Sequence, residues 1–320
     1  MARRSLVIAA LLVGLVVSAF ERLMVGGSGF GWADDAGIVG LRAIALASGV
    51  VVGGCLGLAG AQLQALLRNP LASPDLLGMS AGAGLAVAVA SLLGGAAALG
   101  SPVPAGIGAL GALALVYVVA QRGGLIEPVS LILIGVIVAV MLSAMTLVVQ
   151  TMMPRGQAFD TSRWMLGALS PDATWEQIGL CAAALGGALA LSLVLGPTVD
   201  GAAFGDDEAR SLGVPLAGLR VTLFVASGVL TAASVVLAGP VGFVGLVCPH
   251  AVRLLLGPTH RGLVIGSVLA GAIMVVQADV VGEVVRLRSG RLPMGVMTAM
   301  VGGPVLLVLL RGELRGRGRL

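Results

Sequence analysis

The chain is 320 residues long, 58% hydrophobic and only 11% charged, against about 25% charged in a soluble domain, so a solvated globule is excluded and a polytopic membrane protein is indicated. All 19 basic residues are arginine; with no lysine to meet the β- and γ-phosphates there is no standard P-loop, and any ATPase acting with this chain is a separate polypeptide. A pI near 9.7 does not make a nucleic-acid binder of a chain with net charge +4 and 3% aromatic residues.

A spanning helix needs about 20 apolar residues. Such segments are predicted at 5–23, 42–66, 76–97, 103–120, 130–151, 176–196, 217–238, 244–257, 263–283 and 293–310. The expected fold is therefore all-α, a single domain over 1–320 with about ten transmembrane helices in a tightly packed bundle. The first segment follows Arg3 and Arg4 and ends near Val17–Ala19 like a signal peptide, but retaining it gives a consistent charge topology. With the N-terminus inside, twelve arginines are cytoplasmic and seven (Arg22, Arg42, Arg155, Arg163, Arg286, Arg288, Arg291) are outside, the bias of the positive-inside rule. Both termini and the loop 203–215 are then cytoplasmic, in a multi-pass protein of the lipid bilayer.

In the second segment Gly49, Gly53 and Gly57 form a GxxxGxxxG stripe, which lets helix backbones approach closely in lipid. The loop Gly123–Ser130 suits a constriction and suits an ordinary turn equally. Between the sixth and seventh segments lies a polar island, Phe204–Val214 (FGDDEARSLGV). Asp206–Leu212 reads as a short helix, capped by Gly205 or Asp206, with acids at its positive end. Gly213 fits the left-handed exit and Pro215 stops continuation. A solvated linker and a docking helix that receives motion from a motor are both consistent with these residues. The region 238–250, with two prolines and three glycines, predicts a broken or half-length helix. His250 and His260 have no carboxylate or thiolate in ligand spacing, so no metal site is expected. Cys55, Cys181 and Cys248 read as small buried residues. Asp279 and Glu283 share a helix face four residues apart and read as structural pairing or docking groups ahead of a proton relay.

Three stretches together resemble the permease family of ABC importers for iron-siderophores, haem and cobalamin: Ala59–Gly84 with its RNPLASPDLLG core, the island FGDDEARSLGV, and Leu237–Arg261 followed by LPMGVMTAMVGGP at 292–304. The RNPLASPDLLG and FGDDEARSLGV stretches look closest to one half of a ferric-enterobactin-type heterodimeric permease. The resemblance implies a ten-helix transport subunit, not an enzyme and without cofactor or metal. Its partners would be a second permease subunit (the same or a different chain), two cytoplasmic ATPase subunits and an extracytoplasmic binding protein.

It assigns ATPase coupling to Gly205, Asp206, Asp207, Glu208, Ala209, Arg210, Leu212 and Gly213, because the family's matching loop inserts into a groove on the ATPase. It places the narrowing of the inner exit at Pro128 and Val129. The family also sets two arginines before the second helix to meet acids of the binding protein. Here only Arg42 matches, the second position being Ala45. The family's Glu before the last Leu-Pro is Arg291, which leans toward an unequal pair, and Arg286, Arg288 and Arg291 are read as substitute docking cations. The implied cargo is an iron-siderophore, with haem or cobalamin as alternatives. An ion-coupled carrier working alone would instead concentrate ionisable groups at midplane around discontinuous helices.

Overall fold

The computed structural model describes residues 2–26, 29–94, 102–122, 125–287 and 290–317. Its helices are α1 (Ala2–Met24), α2 (Ala36–Leu66), α3 (Met79–Gly94), α4 (Pro102–Ala120), α5 (Pro128–Thr151), α6 (Arg155–Trp164), α7 (Trp175–Ala202), α8 (Asp206–Ser211), α9 (Leu216–Ala238), α10 (Val244–Leu256), α11 (His260–Val284) and α12 (Met294–Arg317). Each of the ten predicted segments coincides with one of them. Among the described residues, seven helices (α1, α2, α4, α5, α7, α9 and α11) are long and apolar enough to cross a membrane, while α3, α10 and the apolar part of α12 are shorter. Three two-residue hairpins, Val25–Gly26 with Gly29–Phe30, Gln121–Arg122 with Leu125–Ile126, and Arg286–Leu287 with Gly290–Arg291, sit between helices.

Two departures have local causes. The second helix starts at Ala36, six residues before the predicted edge, because Asp35 caps it by accepting from the Gly37 amide at 2.6 Å; Arg42 therefore lies within the helix rather than ahead of it. Helix α6 was not expected: its sequence, RGQAFDTSRW, is too polar to register as a span. It is held by Gln157, whose amide donates to the Ser91 carbonyl on α3.

The centre of the bundle is α2, flanked by α9 and α11. Val52, Cys55 and Leu58 of α2 meet Leu230, Val264 and Val275 in one core, and a second forms where Met79, Val116, Leu131 and Phe224 converge. Lipid supplies little hydrophobic drive between helices, so contact must come from close approach. The glycine stripe provides it. A Cβ at Gly53 would collide with the Gly271 carbonyl and one at Gly57 with the Ser267 carbonyl, both on α11. Helix α1 joins this core through Gln277 of α11, which donates to Ser18 Oγ at 3.0 Å and to Glu21 at 2.5 Å.

The predicted break is real. Helix α9 ends at Ala238, Gly239 takes φ 64°, Phe243 takes φ 68°, and α10 begins at Val244. Thirteen residues of α10 rise only about 20 Å. The carbonyls freed at the end of α9 are answered by another loop: the Ala168 amide donates to Ala238 and the Ser170 amide to Leu237. Irregular backbone inside a bundle persists where such partners exist.

Candidate functional site

The polar island folds as its residues dictate. Gly205, at φ 132°, precedes the first turn of α8 and its carbonyl accepts from the Ala209 amide at 3.0 Å. Gly213 takes φ 76° and donates to the Arg210 carbonyl, while the Val214 amide reaches back to Ala209. These are the two bonds of a Schellman end. Ala209 is fully buried and seats the helix.

Asp206 does not face outward with its neighbours. Arg220 Nη2 on α9 donates to both of its oxygens at 2.7 and 2.8 Å, and Arg68 Nη1, just past the end of α2, lies 2.7 Å from Oδ1. Partial burial would raise this carboxyl, but the hydrogen bonds and charges of Arg220 and Arg68 hold it below the usual carboxylate value. Its contribution is therefore present throughout the neutral range and is lost only as pH falls below that of an ordinary aspartate. Sequence reasoning grouped Asp206 with the motor-facing acids and missed Arg68 and Arg220. The structure uses Asp206 as a tether. The only available signal was that two arginines flank apolar segments on the island's side of the bundle.

What α8 does present is a mixed face. The side chain of Asp207 is 94% exposed and pairs only locally, with Arg210 at 3.3 Å. Glu208 and Ser211 are exposed, and Phe204 and Leu212 are 74% and 65% exposed. Positions 207, 208, 211 and 212 recur at three- and four-residue intervals, so acidic and apolar groups share one side of α8, and Phe204 is exposed just ahead of the helix. The strand Leu125–Ile126 touches α9, and Pro128 and Val129 follow as the first two residues of α5, Val129 exposed.

At the other end of the spanning helices lies a cavity of about 650 Å³ lined by Arg22, Arg42, Arg163, Asp279, Glu283 and Arg291. Arg22 Nε meets Asp279 at 2.5 Å and Arg291 Nη1 meets Glu283 at 2.8 Å, so both acids of α11 are in ion pairs. Arg42 is only 6% exposed and its Nη1 donates to the carbonyls of Leu23 and Gly31 at 2.6 and 2.8 Å. It clamps the connection between α1 and α2 while lining the cavity. Arg291 keeps an exposed side chain. Arg286 sits in the hairpin after α11, and Arg288 lies outside the described residues. Sequence reasoning missed Arg22 and Arg163 here, although an acid such as Asp279 in an apolar helix calls for a partner.

Comparison with known proteins places this geometry. The FecCD transport family matches residues 4–312. The chain is 38% identical to the Fe(3+)-citrate import system permease of Bacillus subtilis over 82% of its own length and 78% of the relative's. It is 36% identical to the ferric enterobactin transport system permease of Escherichia coli over 84% and 80%, and 35% identical to the cobalamin import system permease of Halobacterium salinarum over 86% and 73%. A metal-chelate type ABC transporter solved in an inward-facing conformation superposes with a TM-score of 0.84 at 26% identity, covering 96% of this chain and 99% of that one. The chain belongs to the FecCD transport family and is a permease of the ABC importer type.

Proposed function

We propose that the chain is the membrane-spanning subunit of an ATP-driven importer that carries an iron-siderophore across the cytoplasmic membrane. In this reading ten helices span the bilayer, both termini are cytoplasmic, and the chain pairs with a second permease subunit. A separate ATPase docks on the outward side of α8. The observation that carries the reading is the exposed face of Asp207, Glu208 and Leu212, with exposed Phe204 just ahead of it, on a helix that Asp206 ties to the ends of α2 and α9. A solvated linker has no need of two exposed apolar groups on a firmly tethered turn. The missing lysine requires the motor to be another polypeptide. Gly205, Ala209 and Gly213 shape this coupling helix, Arg210 orients Asp207, and Asp206 anchors it.

The opposite cavity faces the extracytoplasmic binding protein, and Arg42, Arg286, Arg288 and Arg291 are the cations assigned to meet its carboxylates. Pro128 and Val129 narrow the inner exit. Relatives named for ferric citrate and ferric enterobactin favour an iron chelate as cargo; the equally extensive match to a cobalamin permease supports cobalamin as the second reading.

The test is uptake into proteoliposomes holding the permease pair, its ATPase and its binding protein. Ferric enterobactin, ferric citrate, haem and cobalamin are offered separately. ATP-dependent accumulation of a ferric chelate, with no response to a proton gradient alone, is the expected result. Accumulation of cobalamin or haem would reassign the cargo, and uptake driven by a proton gradient without ATP would overturn the importer reading.

A further inference from the structure

Arg68 stands where the backbone favours glycine. It follows the end of α2 at φ 48°. Its amide donates to the Ala65 carbonyl and the Asn69 amide to Gln64, the pair of bonds that a left-handed glycine usually completes. A residue with a Cβ is strained in that region. The side chain supplies the compensation: Nη1 reaches Asp206 at 2.7 Å and Nε donates to the Ala202 carbonyl at 2.9 Å. One guanidinium thus joins the end of α2 to the last residue of α7 and the first of α8.

Beyond Arg68 the chain turns back into the bundle. Asn69 accepts from the Leu71 amide through its side chain and from the Ala72 amide through its carbonyl. A single 3₁₀ turn follows, Pro74–Leu77. This turn is wedged between helices with no side-chain slack. The Leu76 carbonyl lies where a Cβ on Gly135 of α5 would be, and Gly78, at φ 71°, sits close to the Ala139 amide and the Gly135 carbonyl of α5. Pro74 fills the space beside Gly245 of α10. Such contacts transmit displacement because close-packed backbone cannot be compressed.

We infer that Arg68 is the positioning residue that carries movement of α8 into α5: the pull passes from Asp206 to Arg68, along residues 69–73, and through the Pro74–Leu77 turn to Gly135, two turns from Pro128 and Val129. Arg220 has a different part. It also holds Asp206, but from α9, so it keeps α8 seated while Arg68 relays. The inference rests on the reading of α8 as the ATPase dock.

The substitution Arg68→Gly isolates the relay, because glycine relaxes the left-handed backbone and leaves the bundle folded while removing the hook. The experiment uses the complete complex with its ATPase and binding protein. Nitroxides are placed through Val129→Cys and Ala217→Cys, both exposed positions; the native Cys55, Cys181 and Cys248 are buried. In Arg68→Gly the ATPase is expected to copurify, because Arg220 still holds Asp206, while the ATP-dependent shift between the populations of 129–217 distances weakens by at least about fivefold in equilibrium constant, the lower range of coupling between sites. Arg68→Lys, which keeps a charge beside Asp206 but loses the fork to Ala202, falls between. An unchanged distance response in Arg68→Gly overturns the relay. So does loss of the ATPase from that variant, which would make Arg68 a support for docking alone. Failure of the docking reading shows itself elsewhere, as ATPase still bound after Asp207 and Glu208 are reversed.

Discussion

Reversing Asp207 and Glu208 to arginine together is expected to release the ATPase and abolish ATP-driven uptake while the permease remains folded. Neither side chain supports the bundle: among the described residues Asp207 pairs with Arg210 on the same turn, and Glu208 is exposed. The tether through Asp206, the buried Ala209 and the left-handed Gly213 are untouched by the change. An acidic docking face selects a basic groove, and opposing like charges across an interface costs several kcal/mol. Each 1.4 kcal/mol or so is tenfold in affinity, so association weakens by roughly a hundredfold or more. Copurification of the ATPase on the tagged permease reads this directly. Full occupancy by the ATPase in the double reversal would remove α8 from the mechanism.

Gly57→Val is expected to prevent the bundle from forming. The atom opposite Gly57 is a carbonyl, that of Ser267, as those opposite Gly53 and Gly60 are the Gly271 and Gly245 carbonyls. A valine there must push α2 and α11 apart along their whole seam, losing dispersion contacts on both sides. Overpacking a core costs about 1–3 kcal/mol where side chains can yield; backbone against backbone cannot yield, so the loss lies at or above the upper end. The yield of monodisperse protein in detergent and its thermal midpoint measure it, and Gly57→Ala should be milder. Gly186→Ala on α7, where a Cβ meets nothing within 4 Å, is the control and should be neutral. Equal yields for Gly57→Val and Gly186→Ala would show that the α2–α11 seam is not what holds the bundle.

The sequence reading succeeded where one physical signal dominates. Apolar length located the ten segments, the GxxxGxxxG stripe marked α2 as a closely packed helix without naming its partner, and clustered proline and glycine located the break between α9 and α10. Gly213 and Pro215 marked the end of α8 because left-handed geometry and a missing amide are local properties. The site was legible only in part. Asp206, Asp207 and Glu208 are adjacent acids, and nothing local separates the one that tethers from the two that face outward; that difference depends on Arg68 and Arg220, distant in sequence. That Arg42 Nη1 donates to the Leu23 and Gly31 carbonyls is something no local pattern reveals. Helix α6 escaped because a polar helix between spans has no apolar period to find.

The account stands or falls on which protein touches α8, and a photocrosslinking side chain placed at Asp207 in the assembled importer reports it, with one at Arg291 as its counterpart at the other end. The Asp207 probe is predicted to capture the ATPase and the Arg291 probe the binding protein. Capture of the binding protein at Asp207, or of the ATPase at Arg291, would invert the orientation and contradict the account.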